Sequence, residues 1–166
     1  MARMKKTTLN ITGRARWGTL FLTGVAITLG GLFSSEARAS TRWETLEAIH
    51  AIENPYNRSA PGPCGELGAY QFRLDTWRMH SRRPFSEALD RRRSDEVAVR
   101  HYDWLKSALE SNGLESSVYN IALAWNAGIG AVMSGRVPAV SRDYATRVEN
   151  IATELHSRQQ QLADVR

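Results

Sequence analysis

The sequence predicts a mainly α domain packed around one helix that is buried on every side. Three observations lead there. Apolar residues recur at helical spacing in several segments beyond residue 40: Leu46, Ile49 and Ile52, then Ala98, Tyr102, Leu105 and Leu109, then Tyr144, Val148, Ile151 and Leu155. Residues 116–126 carry Val118, Tyr119, Ile121, Ala122, Leu123, Ala124 and Trp125 and leave almost no polar side, the pattern of a helix enclosed by others. No run of β alternation reaches a convincing length, and a small hairpin near residues 59–70 is the one β element the pattern leaves open.

Each element has its own punctuation. Thr41 and Glu44 have the spacing of a capping box, in which hydroxyl and carboxylate satisfy each other's backbone donors, so the first helix of the domain is expected from there to Glu53. Pro55 disfavours helical geometry at Asn54, and the segment with Pro61, Gly62, Pro63, Gly65 and Gly68 reads as an irregular cleft loop. A second helix is expected from Tyr70 to Met79, anchored by Phe72 and Trp77. Ser94, Asp95 and Glu96 suit the start of a third, and Asn112-Gly113 ends it. After the buried helix, a last one is expected from beyond Ser141, fraying into a polar tail at 157–166.

The first 39 residues look like an export signal rather than part of the fold. Arg3, Lys5, Lys6, Arg14 and Arg16 form a basic leader, the stretch from Trp17 to Phe33 is uncharged and mostly apolar, and Ala37-Arg38-Ala39 offers small residues for cleavage. The competing reading is an uncleaved anchor, but the stretch is broken by Gly18, Gly24, Gly30 and Gly31 and is short against the roughly 20 residues that span a bilayer. The expectation is therefore an exported domain at 40–156, periplasmic or extracellular, with no stable membrane insertion after cleavage.

The 166-residue chain has 22 Lys and Arg against 17 Asp and Glu, yet six of those bases and one of those acids lie in the leader. The remainder has no net charge, which disfavours a nucleic-acid binder, because phosphate contacts need a surplus of Lys and Arg. The clusters Arg82-Arg83 and Arg91-Arg92-Arg93 either meet an anionic wall polymer or form a solvated face. The lone cysteine, Cys64, forms no internal disulfide; the alternative is a thiol nucleophile served by His50, His80 or His101, but no spacing identifies the partner. The four histidines and one cysteine make no metal-ligand pattern, and no cofactor is expected.

Glu53 carries the chemistry. It continues the apolar stripe of Leu46, Ile49 and Ile52, falling nearly two turns beyond Leu46, which turns its carboxyl inward. Apolar surroundings raise a carboxyl's pKa, as a general acid near neutral pH requires. The alternative is an ordinary helix-end glutamate that snorkels to water.

The segment from Ala48 to Gln71, AIHAIENPYNRSAPGPCGELGAYQ, resembles the opening motif of the soluble lytic transglycosylase family in the lysozyme-like superfamily. That motif has a glutamate ending a helix and, eighteen residues on, a glutamine closing G-x-x-G-x-x-Q, positions that fall on Glu53, Gly65, Gly68 and Gln71. Ala124-Trp125-Asn126-Ala127-Gly128 is similar to the family's A-Y-N-A-G, with Trp for Tyr, and Tyr144-Ala145-Thr146-Arg147-Val148 to its closing Y-x-x-x-V helix. The departures are Asn54 where the family usually has Ser, Gly62 where many members have Ser, and Glu66 in place of a small residue.

The resemblance implies a compact lysozyme-like helical fold and peptidoglycan glycan strands as substrate. It also implies cleavage of the β-1,4 MurNAc-GlcNAc bond, with Glu53 as acid and then base and a 1,6-anhydro product. It places Gln71, Asn126 and Tyr144 at the reacting sugar. Each has a plainer reading: Gln71 as a surface residue, Asn126 as a cap before Gly128, Tyr144 as core. Tyr70 and Trp125 either stack on sugar faces or pack. Glu66 is expected as a surface charge, although it or Asp75 could supply a second acid, which would suit a hydrolytic muramidase of the same fold. An inactive glycan-binding or assembly scaffold is the third possibility, suggested by Asn54 and Gly62.

Overall fold

The computed structural model describes the backbone of residues 30–165 and the side chains of residues 42–165, so residues 1–29 of the expected signal lie outside the described residues. The chain is mainly helical: α1 (Gly30–Glu53), α2 (Leu74–His80), α3 (Arg91–Ser111), α4 (Val118–Ala127), α5 (Ile129–Met133) and α6 (Ala139–Asp164), with a 3-10 turn at Phe85–Leu89. Among the described residues there is no strand, only an isolated antiparallel bridge between Leu67 and Phe72, which is all that remains of the hairpin left open near 59–70. None of the described helices is long and apolar enough to cross a membrane.

Helix α4 sits at the centre, against α1, α3, α5 and α6, most extensively against α6. Its middle is buried on all sides through Ile121, Ala122, Leu123 and Ala124, and Ser117 caps it by accepting from the Asn120 N–H. Its last turn is different: Trp125 is half-buried and Asn126 exposed. Around α4 pack Ile49 of α1, Leu105 and Leu109 of α3 and Val148 of α6, all fully buried, each worth about 1.5–3 kcal/mol in removal from water, while the buried Trp77 of α2 packs against Phe72 and Phe85. Glu44 of α1, itself buried, meets His156 Nδ1 of α6 at 2.7 Å and ties the two long helices together.

Several boundaries differ from those expected. Helix α1 is already under way at Gly30, the first described residue, instead of starting at Thr41, because residues 31–40 contain no proline and include the helix formers Leu32, Ala37, Arg38 and Ala39, so the Thr41 box lies inside a continuous helix. Helix α2 begins at Leu74 instead of Tyr70, since Gln71 has φ +45°, in the left-handed region where no helix can start. Helix α3 is capped by Asp90, which accepts from the Arg93 N–H at 2.8 Å, and Ser94 is a fully buried residue in its first turn. The tail from Ser157 does not fray but continues α6 to Asp164, supported by good helix formers and by the contacts of Arg158 with Glu154 and Gln160 with His156.

Candidate active site

The end of α1, the loop after it and the last turn of α4 border a cleft of about 460 Å³, within the range of small-molecule ligand pockets. Glu53, Glu66, Gln71, Trp125 and Asn126 line it, with Arg73 and Thr76 beyond them. Glu53 arrives there because α1 stops at once: Asn54 is buried, its amide donates to Arg58 O at 2.9 Å and Gly68 O at 3.1 Å, and its Oδ1 accepts from Arg58 N at 2.8 Å. Asn54 thus does more than tune a helix end. It fastens the start of the loop directly to the glycine turn at Gly68.

Gly68 makes that turn possible. It has φ +81°, and a Cβ there would stand 1.8 Å from the Ala88 carbonyl oxygen, so the loop can lie against the 3-10 turn only with glycine at this position. Gln71 follows in its own left-handed conformation, its amide donating to Gly68 O at 3.0 Å. A non-glycine residue held there costs about 1–2 kcal/mol, and such strain gathers at functional sites.

The Glu53 carboxyl is half-buried, and Tyr144 of α6 donates its hydroxyl to Glu53 Oε1 at 2.8 Å. Burial raises the Glu53 pKa above the ordinary carboxyl value; the Tyr144 bond opposes it, the Glu66 charge adds to it and the Arg147 charge opposes it. The end of a helix is also the negative end of its dipole, which further disfavours the carboxylate. Tyr144 is buried, and burial followed by the Glu53 charge holds its hydroxyl protonated well above the ordinary range, so it remains a donor.

Of the residues expected at the site, Glu53, Gln71, Trp125 and Asn126 meet around the cavity and Tyr144 stands behind Glu53. Asn126 is exposed and carries no side-chain hydrogen bond among the described residues, so its amide is free to meet a ligand. Tyr70 is a correction. Its ring is 2% exposed, wedged against His50, Phe72 and Trp125, and its hydroxyl donates to Asp95 Oδ1 at 2.7 Å, so it forms the floor of the cavity and offers no face for sugar stacking. Burial, then Asp95, keeps that phenol protonated.

Glu66 takes the alternative left open beside the surface charge expected of it: it lines the cavity, while Asp75 is exposed and outside it. His101 is the residue that sequence reasoning missed as part of this wall. It is buried, edge-on to Trp125 with ring centres 4.8 Å apart, and burial followed by the neighbouring His80 lowers its pKa to about 3, so it is a neutral wall and not a base at ordinary pH. Its spacing between Ala98 and Leu105 on the buried face of α3 was the available clue.

No histidine serves Cys64. The cysteine is exposed, His50 is engaged by Asn57 and Arg91, and His101 by His80 at 3.0 Å. The Arg91-Arg92-Arg93 run pairs with Glu47, Asp95, Glu96 and Glu87, a lattice of intramolecular ion pairs rather than a free basic face. Among the described residues no three His, Cys, Asp or Glu side chains come together as a metal site.

The class this geometry defines is a helical domain with a protonatable carboxyl set in the wall of a ligand-sized cleft. A scan against protein-family models finds no match, and neither the curated proteins nor the solved structures contain a match to the chain.

Proposed function

We propose that this chain is an exported peptidoglycan lytic transglycosylase: a lysozyme-like helical domain at 40–156, released from a signal at 1–39, that cuts the β-1,4 MurNAc-GlcNAc bond. One observation carries the reading. The carboxyl of Glu53, raised in pKa and fixed by the Tyr144 hydroxyl at 2.8 Å, borders a cavity that Gln71 and Asn126, from distant parts of the chain, also line. The resemblance of all three segments to the transglycosylase motifs supports the same assignment of roles.

The chemistry balances with one carboxyl. Protonated Glu53 donates to the glycosidic oxygen, the bond from that oxygen to the anomeric carbon breaks with its electron pair leaving on oxygen, and an oxocarbenium-like centre develops. The muramyl C6 hydroxyl then attacks that carbon, its proton passes to the Glu53 carboxylate, and a 1,6-anhydro end forms without water. Tyr144 orients the carboxyl through both steps, Gln71 and Asn126 offer amides to the sugars, and the half-buried Trp125 offers ring surface.

Mass spectrometry of purified peptidoglycan digested by the wild type and by Glu53→Gln tests this reading. Anhydro termini from the wild type and a loss of about 10²–10⁴ in rate in a folded variant are expected. Water-added termini would favour the hydrolytic muramidase, for which the second carboxylate in the cavity, Glu66, is the specific argument. Wall binding without cleavage, equal in both proteins, would favour the scaffold.

A further inference from the structure

We propose that Glu66 is the second carboxylate of this cleft, a fixed negative charge that stabilises the positive centre developing at the anomeric carbon while Glu53 gives up its proton. The inference rests on the reading of the cleft just given and adds a residue to it.

Position comes first. Glu66 lines the same cavity as Glu53, Gln71, Trp125 and Asn126. Its side chain is anchored: Oε2 accepts from the Cys64 N–H at 2.8 Å, while its own carbonyl accepts from the Gly62 N–H at 2.8 Å. Both ends of the residue are therefore tied to the short segment 62–64, which fixes the carboxylate instead of leaving it to wander in solvent. Gly62 provides the room. A Cβ at that position would lie 2.6 Å from Glu66 Oε2 and 2.7 Å from Gln71 Oε1, so a side chain at 62 would displace the carboxylate, the amide or both. The two departures from the transglycosylase pattern, Gly62 and Glu66, thus form one unit: the space vacated at 62 is the space the Glu66 carboxylate uses.

A carboxylate in this place could take a proton from water or act as a charge, and its surroundings decide between them. Backbone N–H groups, its own and that of Cys64, hold the Glu66 carboxyl below the ordinary range, with limited burial opposing and the Arg73 charge assisting. A carboxylate of lowered basicity is a poor base but stays ionised across the working range. The four charged groups around the reacting centre come from three places: Glu53 on α1, Glu66 and Arg73 on the loop, and Arg147 on α6, while His101 on α3 is neutral. Water screens Glu66 in the open cleft, and a seated glycan displaces that water and strengthens the field.

Kinetics on soluble, uncrosslinked glycan strands test the proposal with wild type, Glu66→Gln, Glu66→Asp and Glu53→Gln. Glu66→Gln keeps the Cys64 hydrogen bond and the shape but removes the charge. It is expected to lower kcat by about tenfold or more, to leave KM within about twofold, and to move the alkaline limb of the pH–rate profile to lower pH. Glu66→Asp, which keeps the charge, is expected to leave that limb near the wild-type position. A limb unmoved in Glu66→Gln overturns the proposal, as do water-added termini in the wild type that disappear in Glu66→Gln, since these would make Glu66 the base for water. An inactive Glu53→Gln beside an unmoved Glu66→Gln profile defeats this inference alone, whereas cleavage that survives Glu53→Gln defeats the function proposed for the cleft.

Discussion

Tyr144 donates its hydroxyl to Glu53 Oε1 at 2.8 Å, a contact between residues 91 positions apart that joins the last helix to the end of the first. The bond orients Glu53 but favours its carboxylate, so it opposes the burial that favours the protonated form, and the consequences can be measured.

Tyr144→Phe removes a hydrogen bond that lowers the Glu53 pKa, so the alkaline limb of the pH–rate profile should move to higher pH. Loss of orientation should reduce kcat by roughly tenfold, and stability should fall by about 1 kcal/mol. Activity and limb both equal to wild type would remove Tyr144 from the site.

The wild-type rate should fall as pH rises through the raised Glu53 pKa, because the proton-donating form is depleted there. Stability obeys the same linkage. Between the unfolded and folded pKa values the native state binds more protons than the unfolded one, so the Glu53 contribution is fully present below the unfolded value and is lost as pH rises through the folded one. Glu53→Gln, which cannot ionise, should therefore gain on wild type in thermal stability from pH 4 to pH 8. A gap that stays constant with pH would contradict the raised pKa.

Asn54→Ala removes the partner of the Arg58 N–H and of the Arg58 carbonyl, while Gly68 O keeps its bonds from Gln71, and should cost about 2 kcal/mol in urea unfolding. Because Asn54 fastens the cavity's loop, activity should decline at temperatures where the variant remains folded. Activity unaltered across that range would show that the loop holds its shape without this clamp.

Gly68→Ala places a methyl 1.8 Å from the Ala88 carbonyl oxygen at a φ of +81°. A loss of about 3 kcal/mol or more in unfolding free energy is expected. A variant as stable as wild type would mean that the turn can part from the 3-10 segment at no cost.

How much was legible in advance depends on the range of the forces involved. Apolar periodicity identified the faces of α3 and α6, and the continuous run identified α4 as the centre, because burial of a helical face is written at fixed spacing along one segment. The inward turn of Glu53 followed from its place on the stripe of α1. The helix starts were less legible: Thr41 and Ser94 have good capping chemistry, yet at both places neighbouring residues extend the helix further.

Short-range rules were enough for a helical domain with one inward carboxyl at a helix end, since propensity, periodicity and the break at Asn54-Pro55 act within a few residues. Packing between distant segments is what makes Tyr144 bond Glu53, turns the Tyr70 hydroxyl to Asp95 and brings Glu66 into the cleft. Those outcomes depend on which side chains from remote segments compete for the same space and the same hydrogen bonds. That competition exists only once the helices have packed.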